Sequence, residues 1–279
     1  MASKVLIIPS VAPAAREHAR LLCARLVTAG FDAVVQPAEQ PAQALVPADD
    51  LALAVPMGGD GTFLAAARML GFAPVPLLGL NYGDLGFLSG NPSRDELDLV
   101  ASALAGELPV ERRSTLDAAV TALDGSSLRV TALNEVAYTR GASGHVVEYT
   151  LGINGTPVAR LRADGLVVST ATGSTAYALS AGGPIVSPRY TGLVAVPLAP
   201  HSLSSRAIVT APSDVVEVSM GGRNMGEASV FVDGLALDIR GVSSISVERG
   251  EREVLLVQGG DDYFKSVSHV FFNGGELRC

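Results

Sequence analysis

The first third of the chain alternates short apolar runs with a longer segment whose apolar residues recur every three or four positions. The short runs are typical of buried strands and cover residues 4–8, 31–36, 51–55 and 75–80. Ala14–Ala29 predicts a helix that ends before Gly30. Its apolar stripe consists of Ala15, Ala19, Leu22, Leu26 and Ala29. Strands alternating with helices indicate a parallel sheet covered by helices, so we predict an α/β, Rossmann-like N-terminal domain.

From about Thr115 the pattern changes to short strand-like runs separated by turn residues. Three of the turns are pairs that favour hairpins, namely Asp124-Gly125, Asn154-Gly155 and Asp233-Gly234. We therefore predict a mostly β second domain. The expected bounds are 1–114 for the first domain and 115–259 for the second, with residues 260–279 able to return to the first.

A glycine turn, Gly58-Gly59-Asp60-Gly61, lies between the strand-like run to Val55 and a helical run from Ala65 to Leu70. Such a turn directs free backbone N–H groups outward at a helix N-terminus, and this arrangement suits a phosphate. Because the Asp60 carboxylate repels phosphate, its presence favours a different role, which is to take a proton from an attacking hydroxyl or to hold Mg²⁺. An alternative is an aspartate that merely caps the helix.

A second glycine turn, Asn81 to Leu88, follows the next strand-like run. Ser93 and Glu96 then have the spacing of a capping box, which predicts a helix through Ala105. Ligands of parallel sheets bind beyond the carboxyl ends of the strands. Both glycine turns fall there.

One segment, Asp164 to Pro184, interrupts the β pattern with a strand, a hydroxyl-rich glycine turn and a short helix. Its O–H groups and helix N-terminus predict a second anion-binding element. The alternative is a helix with Ser and Thr caps that serves packing.

The charge balance limits the class of ligand. With 20 basic and 28 acidic residues the net charge is −8, which argues against a nucleic-acid surface. The lysines are Lys4 and Lys265 alone, and no Gly-Lys-Ser/Thr sequence provides a Walker-type phosphate loop. Nucleotide phosphates would then be held by backbone N–H groups, hydroxyls, arginines and a metal ion.

The cysteines and the apolar runs indicate the compartment. Cys23, in the helical pattern, and Cys279 form neither a disulfide framework nor a metal-binding spacing, and Cys23 is expected in the core. No apolar run approaches the roughly 20 residues of a membrane span, and the first residues lack the regions of a signal peptide. We expect a cytoplasmic protein that binds no membrane.

With these residues in view, the chain resembles the NAD kinase family. Gly58-Gly59-Asp60-Gly61-Thr62 is similar to that family's signature, which lipid kinases and phosphofructokinases share. More specific matches follow in the family's order, and they are Asn81 to Leu88, Asn134-Glu135, Asp164 to Pro184, Pro200 to Leu203, and Asp233-Gly234. The resemblance spans roughly residues 50 to 240.

The resemblance implies transfer of a phosphoryl group from ATP or inorganic polyphosphate to the adenosine-ribose 2′-hydroxyl of NAD, giving NADP. Asp60 would take the hydroxyl proton, and Mg²⁺ would accompany the donor. A 2′-hydroxyl is a weak nucleophile, so this transfer depends on alignment and charge neutralisation. The positions that match ligand contacts are Asp60, Gly61, Asn134, Glu135, His145, Arg162, Asp164, Thr175, Ala176, Tyr177, Ala178, Leu179 and Ser180.

The positions that match ligand contacts also have simpler, purely structural explanations. His145 is also consistent with a surface residue, and Arg162 and Asp164 with an i, i+2 pair that forms ion pairs with neighbours. Asn134 and Glu135 are harder to explain structurally, because polar groups in an apolar run cost free energy unless they find partners.

The sequence also departs from the family pattern. Ala171 occupies a position where the family usually has proline, and Leu235 one where many members have a polar residue. The tail from Asp261 to Cys279 matches weakly.

Two rival functions remain open at this stage. One is a lipid or sugar kinase that shares the glycine turn, and the other is a non-catalytic NAD(P)-binding regulator, for which a retained Asp60 has no use. The resemblance further implies a homodimer or homotetramer in which neighbouring subunits complete the site.

Overall fold

The computed structural model describes residues 4–38, 44–82, 86–90, 94–141, 144–221, 228–260 and 262–272. Its contacts divide the chain into two compact units, one of residues 1–112 with 252–279 and one of residues 113–251. The domain bounds expected from the sequence, 1–114 and 115–259, stay predictions.

The helices are α1 Pro13–Thr28, α2 Asp60–Met69, α3 Glu96–Leu104, α4 Tyr177–Ser180 and α5 Tyr263–Phe271, with 3-10 turns at Ala48–Asp50 and Thr172–Thr175. The strands are β1 Lys4–Pro9, β2 Asp32–Val35, β3 Leu51–Met57, β4 Pro76–Leu77, β5 Val110–Ala122, β6 Ser127–Ala132, β7 Glu135–Thr139, β8 Val147–Ile153, β9 Thr156–Ala163, β10 Gly165–Ser169, β11 Val194–Leu198, β12 Ile208–Val209, β13 Val216–Gly221, β14 Ser229–Val232, β15 Leu235–Ala236 and β16 Val242–Val257.

The first unit is built on a parallel sheet. Its strands lie in the order β2-β1-β3-β4, and Leu255 and Leu256 of β16 extend the sheet by pairing in parallel with β4. Apolar side chains of α1 and α3, including Leu22 and Leu99, pack on the sheet in one buried cluster. The predicted Rossmann-like α/β fold is confirmed.

Helix α1 follows its sequence pattern closely. Ala15, Ala19, Leu22 and Leu26 are buried, and the half-buried Cys23 packs against the same core. Gly30 has φ 91°, and the N–H groups of Gly30 and Phe31 donate to the carbonyls of Val27 and Leu26, which is a Schellman ending. Ala29 was wrongly assigned to the buried stripe, because it is the exposed C-cap.

Helix α3 begins differently from the prediction. Its N-cap is Asp95, whose Oδ1 accepts a hydrogen bond from the Leu97 N–H at 2.9 Å. The capping box with Glu96 at the third helical position is therefore wrong, since Glu96 opens the helix. The predicted cap, Ser93, lies outside the described residues.

The second unit is mostly antiparallel β structure, as predicted. One sheet has the order β12-β11-β10-β7-β14-β15. The other strands pair in the order β16-β13-β8-β9, with β5 joined to β16 and β6 to β5. All three predicted turns join antiparallel neighbours, and Asn154 and Asp233 have φ values of 51° and 45°.

Across the described ranges, none of the helices combines the length and the apolar character needed to cross a membrane.

Candidate active site

The glycine turn lies between β3 and α2, where the pattern placed it. Gly59 is the N-cap of α2 and Asp60 its first residue, so the helix begins five residues before the predicted run at Ala65. A Cβ at Gly58 would lie 2.4 Å from Thr62 Oγ1, which explains the need for glycine. Gly61 is exposed, with open space where a Cβ would be.

The Asp60 carboxylate binds a distant loop instead of capping its own helix. Oδ1 accepts hydrogen bonds from Leu88 N–H at 3.0 Å, Ser89 N–H at 3.2 Å and Ser89 Oγ at 3.0 Å, and Oδ2 accepts one from Phe87 N–H at 2.8 Å. Within the described ranges, no side-chain hydrogen bond caps α2, so the helix-cap alternative is wrong. A Cβ at Gly86 would lie 2.2 Å from Oδ1, so glycine is needed for this approach.

The second glycine turn therefore contributes by packing its backbone around Asp60. Its described part comprises Asn81, Tyr82 and Gly86 to Leu88, and residues 83–85 lie outside the described ranges. Asn81 is 2 % exposed, and its N–H donates to Gly90 O at 2.9 Å. One end of the turn is thus held by a backbone hydrogen bond and the other by the Asp60 carboxylate.

In the second unit, Asp233 holds the turn that presents Asn134 and Glu135. Its carboxylate accepts hydrogen bonds from the backbone N–H groups of Leu133 at 3.0 Å, Asn134 at 2.7 Å and Glu135 at 3.2 Å. Gly173 also approaches the Asn134 backbone so closely that a Cβ would lie 2.3 Å from its carbonyl oxygen. The backbone that carries both polar side chains is therefore held by groups far away in sequence.

Asn134 and Glu135 each keep one buried oxygen without a partner. Asn134 is 8 % and Glu135 6 % exposed, and within the described part of the chain Asn134 Oδ1 and Glu135 Oε2 have no hydrogen-bond partner. A buried oxygen of this kind costs roughly 1–3 kcal/mol. A ligand that donates hydrogen bonds to these oxygens would recover that cost.

Burial raises the pKa of Glu135 from 4.5 to about 7, with a further increase from the Asp233 charge, while the Tyr177 backbone N–H that donates to Glu135 lowers it. Between those two pH values the folded protein binds more protons than the unfolded chain. The stabilising contribution of the protonated carboxyl is thus complete below about pH 4.5 and is lost as the pH rises through 7.

We therefore expect Glu135→Gln to be more stable than the wild type at pH 8 and of similar stability at pH 4.5. The amide stays neutral at both pH values, so the difference should be on the order of 2–3 kcal/mol at pH 8. Urea unfolding at the two pH values measures it. Glu248→Gln, an exposed glutamate in the same unit, is the control, and an equal pH effect in both variants would contradict the assignment.

A cavity of about 650 Å³ in the second unit is lined in part by residues that the family resemblance predicts as ligand contacts. Its lining includes Arg140, Asp164, Tyr177, Ser180 and Phe231. Arg140 Nη1 lies 3.3 Å from Asp164 Oδ1 and also donates to Gly144 O at 2.9 Å. The cavity therefore combines an ion pair, a hydroxyl and apolar walls, a mixture suited to a polar organic ligand.

The hydroxyl-rich segment uses its O–H groups internally. Thr170 Oγ1 donates to Leu133 O at 2.6 Å, Ser174 Oγ to Ala171 O at 2.7 Å and Thr175 Oγ1 to Thr172 O at 3.3 Å. This favours a packing role for these hydroxyls over the predicted anion binding. Beyond them, Ala178 is fully buried in a core cluster, whereas Ala176 and Leu179 are partly exposed.

The remaining predicted contacts lie on the surface. His145 is exposed in the connection before β8. The Arg162 side chain is 62 % exposed and its Nε lies 3.3 Å from Glu148 Oε1. Arg162 and Asp164 therefore pair with different neighbours, and the cavity lining includes Asp164 but neither Arg162 nor His145.

Two family models match the chain along most of its length. The ATP-NAD kinase N-terminal domain matches residues 16–106 and the ATP-NAD kinase C-terminal domain residues 133–259. The chain belongs to the NAD kinase family. The resemblance carried by the sequence motifs is thereby confirmed.

Individual NAD kinases are similar over both halves. The NAD kinase of Ralstonia nicotianae is 41% identical over 231 residues, which cover 80% of this chain and 75% of the relative. The NAD kinase of Chromobacterium violaceum is 36% identical over 276 residues, which cover 96% of this chain and 94% of the relative.

Solved NAD kinase structures have the same fold. An Archaeoglobus fulgidus NAD kinase in complex with ATP superposes with a TM-score of 0.74 at 25% identity, covering 96% of this chain and 97% of its own. A yeast NADH kinase complexed with NADH gives a TM-score of 0.87 at 24% identity, and the superposition covers 99% of this chain and 89% of the yeast chain. At that identity the yeast enzyme supports the fold alone.

Sequence reasoning missed two residues of the site. Arg140 was overlooked because it follows an apolar strand with no motif around it. Asp233 was noted as a hairpin turn and a family match, and its role as acceptor for three N–H groups 98 to 100 residues away was not foreseen. The sequence offers no signal for this role, because the burial and the positive φ of Asp233 are visible only in the structure.

A magnesium ion that arrives with a nucleotide needs few ligands from the protein. Among the described residues, no group of three or more His, Cys, Asp or Glu side chains could hold a metal by itself. Mg²⁺ is commonly bound by one or two carboxylates together with substrate phosphates. A magnesium ion held chiefly by nucleotide phosphates is compatible with the role for Asp60 that is proposed below.

Proposed function

We propose that this NAD kinase transfers the terminal phosphoryl group of ATP, or of inorganic polyphosphate, to the 2′-hydroxyl of the adenosine ribose of NAD, giving NADP. The observation that carries the proposal is the Asp60 carboxylate, fixed by four hydrogen bonds at the start of α2 beside the exposed Gly61. A protein that only bound a dinucleotide would have no need of a base in a phosphate-binding turn.

Asp60 is the proposed general base. As the 2′ O–H bond breaks, its proton passes to the carboxylate and the oxygen electron pair forms a bond to phosphorus. The bond from phosphorus to the bridging oxygen breaks, and its electron pair leaves with ADP or the shortened polyphosphate. The chemistry that bound Mg²⁺ supplies is neutralisation of charge on the phosphate oxygens.

The other residues are proposed to bind NAD. Gly61 would line the ribose, and the unpartnered oxygens of Asn134 and Glu135 would accept hydrogen bonds from the adenosine half. Asp164, with Arg140 beside it, would contact the far side of the dinucleotide together with Tyr177 and its neighbours.

Further contacts to the dinucleotide are proposed from the family resemblance. They are the exposed His145 and Arg162 and, in the segment around Tyr177, Thr175, Ala176, Ala178, Leu179 and Ser180. The ATP complex of the Archaeoglobus fulgidus NAD kinase supports ATP as one donor.

We also propose a homodimer or homotetramer that acts in the cytoplasm. The family resemblance, in which neighbouring subunits complete the dinucleotide site, supports the assembly. Light scattering coupled to size exclusion should give two or four times the chain mass of 28.6 kDa. A monomer at assay concentration that is fully active would contradict a shared site.

One assay tests the function. Purified protein is incubated with NAD, Mg²⁺ and either ATP or polyphosphate, and NADP is measured with an NADP-specific dehydrogenase. A diacylglycerol and a sugar phosphate serve as rival acceptors. We expect NADP from NAD with at least one donor, whereas phosphorylation of a rival acceptor without NADP formation would overturn the proposal.

Asn134→Ala is expected to weaken NAD binding without destabilising the fold. Loss of a contact to Asn134 Oδ1 should cost roughly 1–3 kcal/mol of binding free energy. The same oxygen has no partner in the described structure, so its removal should leave the melting temperature unchanged or raised. Calorimetric titration with NAD and thermal melting measure the two effects, and unchanged affinity would place the adenosine pocket elsewhere.

A further inference from the structure

The two oxygens of the Asp60 carboxylate are unequally occupied. From the described part of the chain, Oδ1 accepts three hydrogen bonds, whereas Oδ2 accepts one, from the Phe87 N–H at 2.8 Å. A carboxylate has about four lone-pair sites, two on each oxygen. Among the described residues, the donors therefore saturate Oδ1 and leave one lone-pair site on Oδ2.

The residue that donates to Oδ2 is held by the C-terminal helix. The Phe87 ring stacks on Phe271 with ring centroids 5.8 Å apart and planes at 14°, and it meets Tyr263 at 5.8 Å and 51°. Both partners belong to α5, which Asp262 caps by accepting hydrogen bonds from Phe264 N–H and Lys265 N–H. These distances are typical of stabilising aromatic pairs.

We infer that α5 positions the catalytic carboxylate through the Phe87 ring, so that Oδ2 of Asp60 is the oxygen that receives the proton. The inference rests on the proposed kinase function. It gives the weakly matching C-terminal segment a defined role, which is to keep the loop from Gly86 to Ser89 against Asp60. Phe87, Tyr263 and Phe271 are positioning residues in this scheme.

The geometry also explains why the contact acts on the reacting oxygen in particular. The Phe87 N–H and the Phe87 ring belong to one residue, so a shift of the ring moves the sole protein donor to Oδ2 among the described residues. The three donors to Oδ1 come from Leu88 and Ser89. Loss of the ring contact should therefore misorient the carboxylate while leaving it anchored at Oδ1.

The test compares Phe271→Ala with Phe272→Ala, a neighbouring phenylalanine that is 66 % exposed. We expect Phe271→Ala to lower kcat by roughly 10- to 100-fold, because small misplacements of a reacting group have effects of this size. The KM for NAD should change little, and Phe272→Ala should resemble the wild type. Phe271→Tyr, which retains the stacked ring, should have a kcat close to that of the wild type.

A second readout is independent of activity. Hydrogen–deuterium exchange at the Phe87 amide should be faster in Phe271→Ala than in the wild type and in Phe272→Ala. If the alanine variant does not fold, Phe271→Leu, which keeps apolar volume without the ring, takes its place in both measurements.

The outcomes separate the inference from the proposed function. A wild type that forms no NADP refutes the function, and the exchange measurement then still tests whether α5 holds the loop. With an active wild type, unchanged kcat in Phe271→Ala overturns the inference, whether or not exchange is faster. Equal losses in Phe271→Ala and Phe272→Ala also overturn it, because they would indicate general destabilisation of α5.

Discussion

Replacement of Asp60 by asparagine is expected to lower turnover by roughly 10²- to 10⁴-fold, the usual cost of losing a general base. The same change should also destabilise the fold. An asparagine oxygen can serve the three donors at Oδ1, but its NH₂ group then faces the Phe87 N–H, which loses its acceptor. Stranding that donor should cost roughly 1–3 kcal/mol.

NADP formation and thermal melting, both measured on the purified variant, separate the two effects. Ser89→Ala is the matched control, since it removes the Ser89 hydroxyl that donates to Oδ1 at 3.0 Å and leaves the base intact. It should lose about 1 kcal/mol of stability and keep most of its turnover. Near-normal turnover in Asp60→Asn would rule out the carboxylate as base.

The largest stability loss is expected for Asp233→Ala. The change strands the three backbone N–H groups of Leu133, Asn134 and Glu135 around a side chain that is 8 % exposed. We expect a loss of at least about 3 kcal/mol, which is a large part of the roughly 5–15 kcal/mol typical of a folded domain. NAD affinity should fall as well, because the turn that presents Asn134 and Glu135 loses its support.

Urea unfolding and calorimetric titration with NAD measure these losses. Asp238→Ala, an exposed aspartate in the same unit, is the control and should change stability by less than about 0.5 kcal/mol. If Asp233→Ala were as stable as this control, the hydrogen bonds to the turn would not be needed to hold it.

The local pattern of the sequence was sufficient for the elements and for the class of fold. A 3.6-residue period located α1 and glycine ended it, because both features depend on residues within one or two turns of the helix. The Asn-Gly and Asp-Gly hairpins followed from the positive φ values that those residues tolerate. Helix ends were predicted less accurately. Ala29 was assigned to the buried stripe of α1 but is its exposed C-cap. For α3, the neighbouring residues Ser93 and Asp95 are nearly equal candidates for the N-cap, and Asp95 is the one used.

The candidate site was predictable only in its chemistry. Asp60, Asn134 and Glu135 could be selected from sequence, because a carboxylate among phosphate-binding glycines and polar residues in an apolar run both require an explanation. The contacts around these residues could not be predicted from the sequence. Asp60 is held by residues 27 to 29 positions away, and Asn134 by Asp233, 99 positions away.

By itself, therefore, the sequence determined the α/β and β-rich organisation and the NAD kinase family, and it selected the residues proposed to supply a base and to bind a dinucleotide. Tertiary structure alone decided that Asp60 anchors the Phe87 loop, that Asp233 holds the Asn134 turn and that Arg140 pairs with Asp164. It also decided that α5 packs on Phe87. Periodicity and propensity act between near neighbours, whereas these contacts depend on which strands pair and on the positions of loops distant in the chain, and no local pattern encodes them.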